Sequence, residues 1–209
     1  MLHHVKKVVS LVESQPDYEK HQCPVRIRET RKRDGVLYLA GHGKTDSGVM
    51  FITPTIEEEE ATDKSESVYG LDIREEPKVL KGGMGNMLRE AASVAGLELH
   101  DHYVTALIKW LLPRENRNKP PKEAVEWALP ALMDEIREYK PKIIVCFGKL
   151  AFDHLVPIKV SQNDALGCWF WSPTLQARVF LMDKPILLMM KPEKLETFRI
   201  LFREVKNMI

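Results

Sequence analysis

Cysteine is scarce in these 209 residues: there are three, Cys23, Cys146 and Cys168. Their odd number and wide spacing argue against a disulfide framework, form no recognisable metal pair and fit a reducing compartment. No apolar run reaches the roughly 18–20 residues of a membrane-crossing helix. The first residues carry no hydrophobic signal core, so the expectation is a cytoplasmic protein with no membrane partner. An excess of either charge is missing as well, since 31 Lys and Arg face 30 Asp and Glu for a formal net charge of +1. Any nucleic-acid binding must therefore rest on local patches. What remains, 44% hydrophobic and 29% charged residues, is the composition of a globular chain with one sizeable core, and a single domain over 1–209 is expected.

Basic patches are present. Arg26, Arg28, Arg31, Lys32 and Arg33 crowd one segment, and Arg114, Arg117, Lys119 and Lys122 crowd "PRENRNKPPK". Such runs are most often solvated faces, so their place in the fold has to decide.

Along the chain, strand and helix patterns alternate. Val5, Val8, Val9 and Val12 recur at helical spacing, and "VLYLAG" (36–41) and "GVMFIT" (48–53) read as strands. The acidic stretch 57–76 reads as a loop. A helix is expected over 86–95, with Met87, Leu88, Ala91, Ala92 and Ala95 on one face and Gly96 as its stop. "YVTALIK" (103–109) reads as a strand. Val125, Ala128, Leu129, Leu132, Met133 and Ile136 make an amphipathic helix with Pro130 as a candidate kink. "KIIVCF" (142–147) looks like a strand covered on both faces. A short helix follows Gly148, and residues 161–182 with Trp169, Phe170 and Trp171 read as an irregular or hairpin excursion. "ILLMM" (186–190) is expected to be a buried strand running into Lys191-Pro192, ahead of a last helix over 193–207.

That alternation predicts right-handed crossovers and a three-layer α/β/α fold with a mostly parallel central sheet. In such sheets the ligand crevice lies outside the carboxyl ends of the strands. The segments Thr53–Glu60, Trp110–Lys119, Phe147–Lys149 and Lys191–Leu195 are then expected to line one cleft, with one acidic and three cationic contributions.

The order of segments resembles the uracil-DNA glycosylase superfamily, most closely the branch whose members often carry an iron–sulfur cluster. "GHGKTDSGVMFITPTIEEEEA" is similar to the family's first strand and Gly-Glu-x-Pro-Gly loop. "LKGGMGNMLREAASVAGL" is similar to the glycine-flanked turn entering a helix. "YVTALIKWLLPRENRNKPPKEAVEWALPALMDEI" is similar to the strand, the Pro-x-x-Asn-Arg-x-Pro-like loop and the helix after it, and "KPKIIVCFGKLAFDHL" to the strand, Gly-Lys and helix. "ILLMMKPEKL" is placed where the family has a strand ending in His-Pro. The likeness runs from Gly41 to Met208 and leaves residues 1–40 as a thinly matched N-terminal extension.

The departures shape what this resemblance implies. Where the family's first loop handles the attacking water the chain has Pro54, after Thr53, and the nearest carboxylates are Glu57 to Glu60. Ala106 follows Thr105 where the family reads the base's Watson–Crick edge with an asparagine, Leu80 stands for its stacking phenylalanine, and Lys191 for its histidine. Two of the branch's cluster ligands correspond to Trp110 and Ala128, so no cofactor is expected. Hydrolysis of an N-glycosidic bond needs stabilised negative charge on the leaving base and a positioned water. Glu57, then Glu58, are the candidate carboxylates, and Asp183 is a weaker one.

Three roles stay open for Lys191: a phosphate contact, a structural or solvent-facing lysine, or catalysis, as a cation facing the base or an amine attacking the sugar. Thr53, Pro54, Leu80, Thr105 and Ala106 are expected around the base. Gly82, Gly85, Asn116, Arg117, Lys119, Gly148, Lys149 and Pro192 are expected along DNA, Gly148-Lys149 offering backbone N–H groups at a helix start. Leu195 is either a wedge between bases or a first-turn core residue. His102 and His154 read as structural, and Trp169, Phe170 and Trp171 as an aromatic hairpin core or a stacking platform for an unpaired base. Two functions follow: a divergent glycosylase acting on a flipped uracil-like or modified pyrimidine, or a catalytically silent module that binds DNA or a modified base.

Overall fold

The computed structural model describes residues 41–56, 82–110, 112, 116 and 118–209. The helix expected over Val5–Val12, the basic segment Arg26–Arg33, the strand at 36–41 apart from Gly41, and the acidic stretch 57–76 lie outside the described residues. So do Cys23, Leu80, Arg114 and Arg117. The chain divides into two compact units, one of Met1–His42, Thr55–Val79 and Ala106–Glu138, the other of Gly43–Pro54, Leu80–Thr105 and Tyr139–Ile209.

The second unit is built on a five-stranded sheet of β1 (Val49–Thr53), β2 (Tyr103–Ala106), β3 (Ile143–Phe147), β4 (Trp169–Ser172) and β5 (Ala177–Met182) in the order β2-β1-β3-β5-β4. β1 and β5 run parallel to β3, and β4 closes the edge antiparallel to β5. Every residue of β1 and β3 is buried, the signature of strands covered on both faces and the reason their sequences are almost unbroken apolar runs. The fold is α/β, with a mostly parallel central sheet flanked by helices, as the alternating pattern implies. Phe51, Phe147 and Phe202 form the centre of the core, with ring centroids 6.0 to 6.5 Å apart.

Five helices of this unit are α1 (Gly82–Val94), α3 (Lys149–Leu155), α4 (Gln162–Ala165), α5 (Ile186–Met190) and α6 (Leu195–Met208), and α2 (Lys122–Tyr139) belongs almost wholly to the first unit. In α6 the buried set Phe198, Leu201, Phe202 and Val205 repeats at three- and four-residue steps, one apolar stripe on an otherwise charged helix. In α2 the buried face is Ala124, Val125, Ala128, Ala131, Leu132 and Ile136, and Pro130 lies within the helix without ending it. No helix among the described residues is long and apolar enough to cross a membrane.

Three expectations need correction. Residues 186–190 are not a strand but helix α5, closed by the Lys191 N–H donating to the Leu187 carbonyl at 2.8 Å. Only Ile186 of that run is β-branched, whereas leucine and methionine are good helix formers. The sheet strand is β5, the second arm of the aromatic hairpin, which inserts beside β3. The strand expected over 103–109 ends at Ala106. The helix expected from 86 starts at Gly82, despite glycines whose propensity argues against it, with Met84 and Gly85 buried in its first turns.

Candidate functional site at the carboxyl edge of the sheet

The register fixes which residues emerge together. Ile52 pairs with Cys146, and Phe147 with Met182, so Thr53, Phe147 and Met182 stand level across three adjacent parallel strands. Neighbouring strands lie roughly 4.8 Å apart, which brings the next residues, Pro54, Gly148 and Asp183, into one row. The sheet order also reverses at β1, with β2 on one side and β3 on the other. That switch point is where open α/β sheets form a ligand crevice.

At the β1–β2 end Thr53 and Thr105 are both buried, and Thr53 Oγ1 donates to the Thr105 carbonyl at 3.4 Å. Pro54 is half-buried, and Ala106, the last residue of β2, is fully buried. At the β3 end the Gly148 N–H donates to the Met182 carbonyl at 2.7 Å. That donor, expected to be offered to a phosphate, is therefore used by the sheet. Gly148 has φ 84° and ψ 164°, a conformation strained for any residue with a Cβ. The Lys149 ammonium is paired with Asp153 one turn along α3.

Beyond β5 come Asp183, Lys184 and Pro185. Asp183 is 4% exposed, and both its oxygens are engaged: Gln162 Nε2 donates to Oδ1 at 3.2 Å and Lys194 Nζ to Oδ2 at 3.4 Å. Lys184 is half-buried. A Cβ placed on Gly148 would stand 2.7 Å from Lys184 Cγ and 3.3 Å from its Cε, so the lysine stem lies directly across the bare glycine.

Two of the chain's four Lys-Pro pairs lie in this region, 184–185 and 191–192, and the strand runs into the first of these. Lys191 instead caps α5, exposed, with Pro192 exposed beside it and Leu195 half-buried at the start of α6. The cation at the end of a strand is thus Lys184. Its sequence signal was the apolar "VFLM" just before Asp183, masked by the more conspicuous "ILLMM". Glu57, Glu58, Leu80 and Arg117 lie outside the described residues. Gly82 and Gly85 belong to α1 in the second unit, and Asn116 and the exposed Lys119 to the first.

Residues 40–206 match the family described as the uracil DNA glycosylase superfamily. The chain belongs to that superfamily. It is similar to a type-4 uracil-DNA glycosylase of Pyrobaculum aerophilum, 29% identical over 129 residues that make up 62% of this chain and 58% of that protein. It is likewise similar to a type-4 uracil-DNA glycosylase of Archaeoglobus fulgidus, 31% identical over 114 residues, 54% of this chain and 50% of that protein. The chain spans little more than half the length of these curated relatives.

The iron–sulfur cluster that the resembling branch often carries is held by four thiolates, and this superfamily member has three cysteines in all. Cys146 is buried in the middle of the sheet, where burial pushes its thiol well above the ordinary range, and Cys168 is exposed with its sulfur against the Asp164 and Leu166 carbonyls. Trp110 and Ala128, where the resemblance implies two of the ligands, are both buried. Among the described residues no three His, Cys, Asp or Glu are grouped to hold a metal. The residues present do not fit that cluster.

Close to Trp110 in sequence, the first unit holds a buried ion pair. Lys109 Nζ donates to Glu135 Oε2 and to the Ala106 carbonyl, each at 2.7 Å, and both side chains are buried. Burial pushes the Lys109 ammonium below its usual range, against the opposing pull of Glu135. Sequence reasoning missed this pair, because a lysine at the end of an apolar run reads as a surface boundary.

Proposed function

We propose that the chain binds DNA and hydrolyses the N-glycosidic bond of a flipped uracil-like or modified pyrimidine. The observation that carries this is the superfamily match over residues 40–206, together with a half-buried lysine at the strand-end row beside Gly148. In the reaction the bond to C1′ breaks with its electron pair passing to the base, and water adds to C1′ in place of the base. Lys184 faces the base oxygen on which negative charge develops, the kind of charge-directed donor whose removal costs about 2.7–4 kcal/mol in other enzymes. Glu57 or Glu58 holds the attacking water. Thr53, Pro54, Leu80, Thr105 and Ala106 enclose the base, and the apolar pair Leu80 and Ala106 suits a substituted pyrimidine better than plain uracil. Gly82, Gly85, Asn116, Arg117, Lys119, Lys149, Lys191 and Pro192 contact the DNA backbone. The wedge passes from Leu195 to Met189 and Met190, which are 49% and 69% exposed on α5 directly after the Lys184-Pro185 turn.

A second function, a silent module that binds DNA or a modified base, is favoured by one feature: the buried Ala106 offers no side-chain donor where the family has an asparagine. Duplexes carrying uracil, hydroxymethyluracil, a thymine mismatch or hypoxanthine separate the two, with alkaline strand cleavage reporting base loss. Cleavage of any of them establishes the enzyme. Tight binding with no abasic product from the whole panel establishes the module.

A further inference from the structure

We propose that the β4–β5 hairpin is a second nucleic-acid contact, a platform on which Trp171 stacks an unpaired base of single-stranded DNA while Arg178 holds the adjacent phosphate. The inference stands apart from the chemistry at the carboxyl edge and does not require it. Successive side chains of β4 point to opposite faces of the sheet, and packing accounts for two of its three aromatic rings. On one face the Phe170 ring meets Phe152 of α3 edge-on at 5.1 Å. On the other, Trp169 lies 4.5 Å from Phe180, its register partner on β5. Trp171 shares the face of Trp169, yet it is 55% exposed. Its register partner is Arg178, which is exposed too. Residues directly opposite in an antiparallel pair have Cβ atoms about 4.5–5.5 Å apart, so an open indole and a guanidinium stand side by side. That is the pairing single-stranded nucleic acid takes: every base has a face that stacks on an aromatic ring, and a cation follows the backbone.

The surroundings select a polyanion. No Asp or Glu occurs between Leu166 and Met182. Among the described residues Arg137 and Arg199 are ion-paired on their helices, whereas Arg178 forms no ion pair. Lys142, whose carbonyl accepts from the Arg178 N–H at 2.9 Å, is exposed at the same end of the sheet. A second copy of the chain is a poorer occupant, because a two-fold contact sets one patch against itself and would oppose these cations to their own kind. The platform is also held before a ligand arrives: the Ser172 hydroxyl, next to Trp171, donates to the Leu155 carbonyl at 2.7 Å. Arg178 precedes Met182 by four residues on β5, roughly 13 Å at the rise of a strand, so the platform is distinct from the strand-end row.

The test titrates the full chain into an end-labelled oligothymidylate, read by fluorescence anisotropy, and into a tetrahydrofuran oligomer of the same length, which keeps the phosphates and has no bases. Neither strand holds a modified base, so the outcome is independent of excision. The thymidylate is expected to bind more tightly than the base-free strand. Trp171→Ala is expected to weaken thymidylate binding about tenfold and to leave base-free binding unchanged, while Trp171→Phe, which keeps a ring, retains most of the affinity. Arg178→Gln is expected to weaken both and to flatten the plot of log affinity against log salt by about 0.7, the loss of one phosphate contact on a single strand. Because both side chains are exposed, the urea midpoint of each variant should match the wild type, which separates these losses from unfolding. Thymidylate bound by Trp171→Ala as tightly as by the wild type overturns the proposal, and so does equal binding of the two oligomers by the wild type. A change from dimer to monomer in Trp171→Ala, seen by sedimentation with DNA binding unaltered, makes the face a contact between copies and overturns it as well.

Discussion

Lys184 lies across Gly148, two residues from adjacent parallel strands that meet at one edge of the sheet. Two constraints therefore converge on Gly148: a positive φ of 84° and the absence of a side chain beneath the lysine. Gly148→Ala violates both. The strained backbone is expected to cost about 1–3 kcal/mol, seen as a lowered urea midpoint, and the methyl group displaces Lys184 from its seat. Base release per folded molecule is then expected to fall as far as in Lys184→Ala. Normal turnover by the folded fraction of Gly148→Ala would show that the lysine's seat is irrelevant to the chemistry.

The Lys109–Glu135 pair makes the sharpest stability prediction. A buried charge left without its partner is strongly destabilising, by about 3–5 kcal/mol, whereas replacing both ions by apolar residues of similar size is often neutral. Glu135→Ala is expected to lower the stability from urea unfolding by that amount, and Lys109→Met with Glu135→Leu to recover most of it. A single variant with wild-type stability would mean that the ammonium is satisfied elsewhere.

His102 predicts a pH dependence. Its ring packs 5.8 Å from Phe51, its Nδ1 is buried without a partner among the described residues, and burial lowers its pKa, with Asp101 opposing and Lys206, His100 and Lys44 reinforcing. The folded state thus takes up its proton at lower pH than the unfolded state. Between the two values the unfolded chain binds more protons, so stability contributed by neutral His102 is present above the unfolded value of about 6.5 and is lost as pH falls toward the folded one. His102→Phe is expected to flatten that part of the curve, read as the difference in unfolding free energy between pH 7 and pH 5. An unchanged difference would place the dependence on other groups.

These same residues show what the sequence made legible. β1 and β3 announced themselves because strands covered on both faces have to be apolar throughout, and α2 and α6 because a half-covered helix must repeat its apolar face. Ile186–Met190 had no periodicity, and five apolar residues fit a buried strand or a short helix equally well. Which one forms depends on whether β5 or this segment takes the slot beside β3, a tertiary choice written in no local pattern. The error then carried to the site, because the Lys-Pro pairs at 184–185 and 191–192 cannot be told apart until the strand before one of them is located. Pro54 was placed correctly just past β1, since that strand was itself legible, whereas Ala106 was expected inside a longer strand and instead ends β2.

Met189 and Met190 close the set of predictions, since they stand exposed on the helix that follows the strand-end lysine. An apolar side chain inserted between base pairs fills the gap left by an extruded nucleotide, and unstacking costs a few kcal/mol per step. In a duplex the wedge therefore offsets a cost that a single strand does not incur. Met190→Ala is expected to slow base release from duplex DNA about tenfold, a loss near 1.4 kcal/mol, and to leave release from a single strand unchanged. Because Met190 is 69% exposed, the thermal midpoint should not move. Equal slowing on both substrates would place Met190 in the pocket itself, and no slowing on either would remove α5 from the DNA interface.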